Sequence, residues 1–327
     1  MRQYWFSARD VARALVKVAG GASYRAASEQ VRNFTGRSRV LESAQRHGQL
    51  VADWVEVFGP VIAAAYAPTA WPEHVVLDST SYRHSRANGG TLAFSVLGAV
   101  GYEGWQQERP WALRAVPTEN QDTWWDFLNT LDGAPRGVVT DGSSALARAL
   151  LPWQATARTE VFRCEWHLTH ALLGTLPPEV RNDPTHPLQV TAKRAVQSAG
   201  TWATFRAALD TYVGRGQGTY PATRDWVRRH QRLIAWQTGV PTTGPRSNGA
   251  VEQVLQEVRK RIGPRAMNFT NQARTNALLG LFLADMNGHA DERAWADIIR
   301  AHAAQTGGSP TTRPRTVSDH GRASLRV

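Results

Sequence analysis

The sequence predicts an α/β protein, a mixed β-sheet flanked by helices, carrying an α-helical insertion and preceded by an all-α region. Three observations predict it. Residues 1–70 place apolar side chains at helical spacing throughout. From residue 74 to 166, β-branched apolar runs and amphipathic stretches follow the order three strands, helix, strand, helix, strand. A long helical stretch then separates this block from SNGAVEQVLQEVRKRI (247–262), whose Val251, Val254, Leu255, Val258 and Ile262 form one apolar stripe.

In order, Ser7 and Asp10 give an S-x-x-D cap, and Val11, Ala14, Leu15 and Val18 follow on one helical face. Gly20-Gly21 ends that helix. Ser23 caps SYRAASEQVR and Ser38 caps SRVLESAQRH, a spacing that suits a helix-turn-helix. Arg25, Arg32, Arg37, Arg39 and Arg46 lie there as candidate phosphate contacts; a plain bundle with solvated arginines fits the same pattern. A further apolar helix spans residues 51–66. EHVVLDSTSY, TLAFSVLGAVGY and PWALRAVP read as a meander of three strands. NQDTWWDFLNTL is a helix, GVVTD a strand, SSALARALL a helix and TEVFRCEW a fifth strand. Helices broken by PPEVRNDPTHP and VGRGQGTYP follow, and an apolar helix covers 276–286. The tail 305–327, rich in Gly, Ser, Pro, Thr and Arg, reads as disordered.

The composition narrows the function. A net charge of +11 and a pI near 10.6 attract polyanions, nucleic acid above all. The bias is carried by arginine, since Lys17, Lys193 and Lys260 are the only lysines. The single cysteine, Cys164, excludes an internal disulfide and a multi-cysteine zinc site. No apolar run is long enough for a membrane span and no leader opens the sequence, so a cytoplasmic, nucleoid-associated protein without a membrane partner is expected. No G-x-S-x-G or P-loop supports a serine hydrolase or an NTP-driven reaction.

Three acids stand out. Asp78 ends the run VVL, Asp141 ends VV, and Glu252 sits beside the apolar stripe of its helix, where it can point at the sheet while Arg259, Lys260 and Arg261 face elsewhere. Such a set offers oxygen ligands for two divalent cations, which suit in-line phosphoryl displacement. Each aspartate alone also reads as a turn or cap, and Glu257 competes with Glu252. Cys164-x-x-His167 could join His170 and His186 on zinc only if unlike loops converged. Trp166 reads as a core residue.

VVLDST, VVTDGSSAL, FRCEWH and SNGAVEQVLQEVRKRI, in this order over residues 74–285, resemble the DDE transposases of the Mutator-like class and their bacterial insertion-sequence relatives. The resemblance implies an RNase H-like catalytic domain at 71–290, with its helical insertion at about 167–246, behind a DNA-binding region at 1–70. It maps Asp78, Asp141 and Glu252 onto a catalytic triad holding two Mg²⁺ ions, with Mn²⁺ as a substitute, and Cys164 and His167 onto the family's C-x-x-H signature. The activity implied is cleavage at inverted-repeat ends and strand transfer into target DNA by a homo-oligomer on DNA, with Arg259, Lys260 and Arg261 as further DNA contacts. An inactive or truncated DNA-binding derivative and an RNase H-like nuclease acting on branched DNA are the alternatives. Unlike some relatives, this sequence shows no cysteine-rich zinc ribbon before the helical region.

Overall fold

The structure, a computed structural model, describes residues 6–35, 44–85, 91–103, 106–241, 244–263, 271–306, 311–314 and 325–326. A short strand β1 (Phe6–Ser7) leads into α1 (Ala8–Ala19), α2 (Tyr24–Thr35) and α3 (Ala44–Tyr66). The Ser7–Asp10 capping box starts α1 as its spacing predicts. The third and fourth expected helices are one: α3 runs unbroken through Gly48 and Pro60. A lone glycine weakens a helix by only about 1 kcal/mol, too little to end one that tertiary packing holds. The expected start at Ser38, with Arg37 and Arg39, lies outside the described residues.

The sheet strands are β2 (His74–Ser85), β3 (Thr91–Glu103), β4 (Gln106–Val116), then α4 (Gln121–Leu128), β5 (Gly137–Thr140), α5 (Ser144–Ala149), α6 (Leu151–Thr156) and β6 (Glu160–Arg163). Their spatial order is β4-β3-β2-β5-β6. β2, β3 and β4 pair antiparallel as a meander, while β5 and β6 join parallel through helical crossovers. This is the mixed sheet that the alternation of runs predicts. β2 is longer than VVL, so Asp78 lies within the strand rather than at its end. The polar residues after it, STSYRHS, stay extended because β3 pairs with them up to Ser85↔Thr91.

Beyond the sheet come α7 (Glu165–Thr175), α8 (Pro178–Arg181), α9 (Pro187–Ala192), α10 (Ala199–Gly214) and α11 (Pro221–Gly239). They bury Leu172, Leu188, Phe205, Trp226 and Ile234 in a core of their own. The chain returns in α12 (Gly249–Ile262), α13 (Gln272–Met286) and α14 (Glu292–Gln305). The sequence reading has no counterpart for α14, although Asp291 caps it and Trp295, Ala296, Ile299 and Ala303 form its buried face. Within the tail expected to be disordered, β7 (Thr311–Pro314) pairs with β1, and β8 (Leu325–Arg326) pairs with β7.

Two cores flank the sheet. Val75, Leu77 and Val138 point into one, beneath α4, α5 and α6. Val76 and Val139 point into the other, which continues through α12, α13 and α14 into α1, α2 and α3. The N-terminal helices therefore share a core with the sheet rather than enclosing a separate one. No helix among the described residues is long and apolar enough to cross a membrane.

Candidate active site

The register of two parallel strands sets the site. The β2–β5 ladder ends at Leu77↔Thr140, so Asp78 and Asp141 are each the next residue on neighbouring strands, which run about 4.8 Å apart. Alternation places them on the face of Val76 and Val139, beneath α12. Glycine lets that helix come close: Gly98 lies opposite Asp78 on β3, and a Cβ there would sit 3.0 Å from Leu255 and 3.3 Å from Val251. The apolar stripe of α12 thus rests on the sheet, and Glu252, in its first turn, joins Asp78, Ser79, Thr80, Gln256 and Arg259 around a cleft of about 140 Å³.

The carboxyl of Asp78 is pushed up to about 7, first by burial and then by the negative charges of Asp141 and Glu252. Hydrogen bonds from Ser79 N–H at 2.7 Å and Asn248 Nδ2 at 2.9 Å oppose that rise. Neither aspartate makes an ion pair with a described residue, and Arg259 lines the cleft with Asp78. Asp141 accepts from Ser143 N–H at 2.8 Å and is followed by Gly142 at φ +84°. Only glycine suits that position, since the conformation is left-handed and a Cβ would collide with the Arg163 guanidinium. No three His, Cys, Asp or Glu side chains among the described residues approach closely enough to form a ready-made metal cage.

Cys164 and His167 frame the start of α7. The Cys164 thiol is fully buried, and burial raises its pKa; it donates to Asn248 Oδ1 at 3.1 Å. His167 Nε2 stands 4.0 Å from Glu252 Oε1. His186 instead accepts from Leu188 N–H at the start of α9, and the described His and Cys side chains do not converge as a zinc site would require. Trp166 corrects the expectation of a core residue. It is 52% exposed, because the first turn of α7 turns it outward onto His170, with ring centroids 3.9 Å apart.

The arginines divide. Arg259 was expected to face away from the sheet, yet it lines the cleft with Glu252, hydrogen-bonds Thr80 and lies over the Tyr82 ring. Seven residues make nearly two turns of helix, which returns a side chain to the same face. Lys260 is exposed beside Glu257. Arg261, expected at DNA, is an internal strut: it meets Glu257 at 2.9 Å, Asp285 at 2.7 Å and the Ala19 carbonyl. Those ion pairs also remove Glu257, whose carboxyl they hold low, from the cleft. Arg25 pairs with Glu29 on the surface of α2. Arg32 and Arg46 belong to α2 and α3, but their side chains lie outside the described residues.

Sequence reasoning missed Asn248 as a contact of Asp78, although an asparagine directly before a helix is a visible signal. It also missed Gln237 of α11, whose buried amide accepts from Arg163 N–H at 3.0 Å and donates to Arg163 C=O at 2.8 Å, fastening the insertion to the outer strand of the sheet. A search of curated proteins finds no match. A model of the Mutator family of transposases matches residues 73–292, from the first residues before β2 to the first turn of α14. That span holds the sheet, the insertion and the helix bearing Glu252, about two thirds of the chain, and so the protein belongs to the Mutator transposase family.

Proposed function

We propose that this transposase cuts and joins DNA at a metal-dependent DDE site formed by Asp78, Asp141 and Glu252 in an RNase H-like domain. One observation carries the proposal: the ladder ending at Leu77↔Thr140 sets two aspartates side by side, beneath the helix that supplies Glu252. The strand order, an antiparallel meander followed by two parallel strands, supports the RNase H-like reading.

The donor set fits magnesium. All three groups offer oxygen, and burial with two acidic neighbours makes the Asp78 carboxylate costly to charge, a cost that a bound cation would offset. Magnesium is held by one or two carboxylates per ion and completed by water and substrate phosphate. Bound ions would supply Lewis-acid stabilisation of the attacking and leaving oxygens.

The protein's own part is placement. Asp78, fixed by Ser79 and Asn248, and Asp141, fixed by Ser143, hold the ligand oxygens still. Arg259, at the rim of the same cleft, suits a DNA phosphate. A second groove, between α10 and α11, presents Arg206, Arg224 and Arg228 for the flanking backbone. Water attacks the phosphorus at the element end and the P–O3′ bond breaks, leaving a 3′-OH. That hydroxyl then attacks a target phosphodiester and displaces its 3′-oxygen, so bond number is conserved and no nucleotide cofactor is consumed. The purified chain should nick and then join DNA carrying the inverted repeats that flank its reading frame in Mg²⁺, whereas Asp141→Ala should bind these ends and do neither. Cleavage retained in Asp141→Ala would overturn the assignment; cutting of branched DNA without joining would mark a junction nuclease.

A further inference from the structure

The C-x-x-H cysteine has no task in this chemistry, and Asn248 is buried at 1% exposure with every polar group of its side chain turned inward. A side-chain amide has a donor end and an acceptor end, and a flip exchanges them. Here Oδ1 receives the Cys164 thiol at 3.1 Å and Nδ2 donates to Asp78 Oδ2 at 2.9 Å. The backbone N–H of Asn248 also points to Cys164 Sγ at 3.4 Å. The thiol and the carboxylate select the same orientation of the amide. The S–H donates to the amide oxygen, and the NH₂ donates to the carboxylate.

We infer that Cys164 and Asn248 are positioning residues for Asp78: the thiol fixes the amide orientation of Asn248, and the amide fixes the carboxylate that faces the metal site. This rests on the metal-site reading above. The cysteine acts as a proton-bearing donor two contacts from the Asp78 carboxylate rather than as a ligand, and burial, which keeps the thiol neutral, suits that role. Such outer contacts set ligand orientation, and their loss typically weakens metal binding by about tenfold or more.

The test is Mn²⁺ binding to the full chain, titrated by electron paramagnetic resonance, with melting temperature measured for each variant. Asn248→Ala and Cys164→Ala should each raise the Mn²⁺ dissociation constant about tenfold. Cys164→Ser, which keeps an O–H donor, should stay within about twofold of the unchanged protein, and the double alanine variant should be no weaker than Asn248→Ala alone. If Asn248→Ala fails to fold, the Cys164→Ala and Cys164→Ser pair carries the test. Lower melting temperatures with unchanged dissociation constants overturn the inference, as does Cys164→Ser binding no better than Cys164→Ala. An unchanged protein that binds no Mn²⁺, or that binds it equally well after Asp78→Asn, overturns the metal-site reading and this inference together.

Discussion

Asp78→Asn should make the metal-free protein more heat-resistant at pH 8 than the unchanged chain, with the advantage shrinking toward pH 5. The Asp78 carboxyl is raised from 3.8 to about 7 by burial and by its two acidic neighbours. A raised folded-state pKa means that the folded chain holds the proton more tightly than the unfolded one. Its stabilising contribution is therefore complete below about 3.8 and lost as pH rises through about 7. At about 1.36 kcal/mol per unit, the interval from pH 5 to pH 8 spans roughly 2.5 kcal/mol, an upper value because water reaches part of the group. With an unfolding entropy of about 2.1 cal/mol/K per residue, 1 kcal/mol moves the midpoint of a chain this long by about 1.5 °C, so the difference should open by up to roughly 4 °C. Calorimetry in EDTA at half-unit steps measures it. Subtracting the two curves cancels His74, whose lowered pKa works in the opposite sense, and Glu165. Parallel curves, with one offset at every pH, would refute the reasoning. Mg²⁺ added at pH 8 should raise the midpoint of the unchanged protein and scarcely move that of Asp78→Asn.

Arg259→Ala should weaken DNA binding and lower the salt slope of log K by about 1, with little change in melting. Arg261→Ala should do the reverse, destabilising by about 2–3 kcal/mol in urea because Asp285 and the Ala19 carbonyl lose their partner. Gly98→Val should press against Leu255 and Val251, costing about 1–3 kcal/mol and lifting Glu252 from the aspartates, so Mn²⁺ affinity should fall with stability. Gln237→Ala should leave a part-buried edge N–H of β6 unanswered, at about 1 kcal/mol, and should expose the insertion to limited proteolysis before the sheet.

The sheet was legible because its strands contain β-branched apolar runs, as in VVLDST and GVVTDG. Each aspartate is visible as the residue after an apolar run, but their adjacency follows from the β2–β5 register, which neither run carries by itself. What escaped prediction depended on partners distant in sequence. Asp78 looked like a strand end because STSYRHS is polar, and β3 alone keeps it extended. Helix α3 looked like two because Gly48 is a breaker only without tertiary support. Arg259 and Arg261 are near neighbours with opposite fates, decided by which face of α12 meets Asp285 and which meets Thr80. Trp166 has the composition of a core residue, and only the direction in which α7 starts brings it to the surface.

The insertion leaves and rejoins the sheet through one narrow neck. Glu165 N–H meets the Arg246 carbonyl at 3.0 Å there, next to the contact between Cys164 and Asn248. Chain between two fastened ends is inexpensive to resize, since doubling a flexible loop adds only about 0.6 kcal/mol of closure entropy. The excursion from 165 to 246, with its private apolar interior, is thus built as an exchangeable cartridge. Its bulk can change while the collar at its base keeps the same shape.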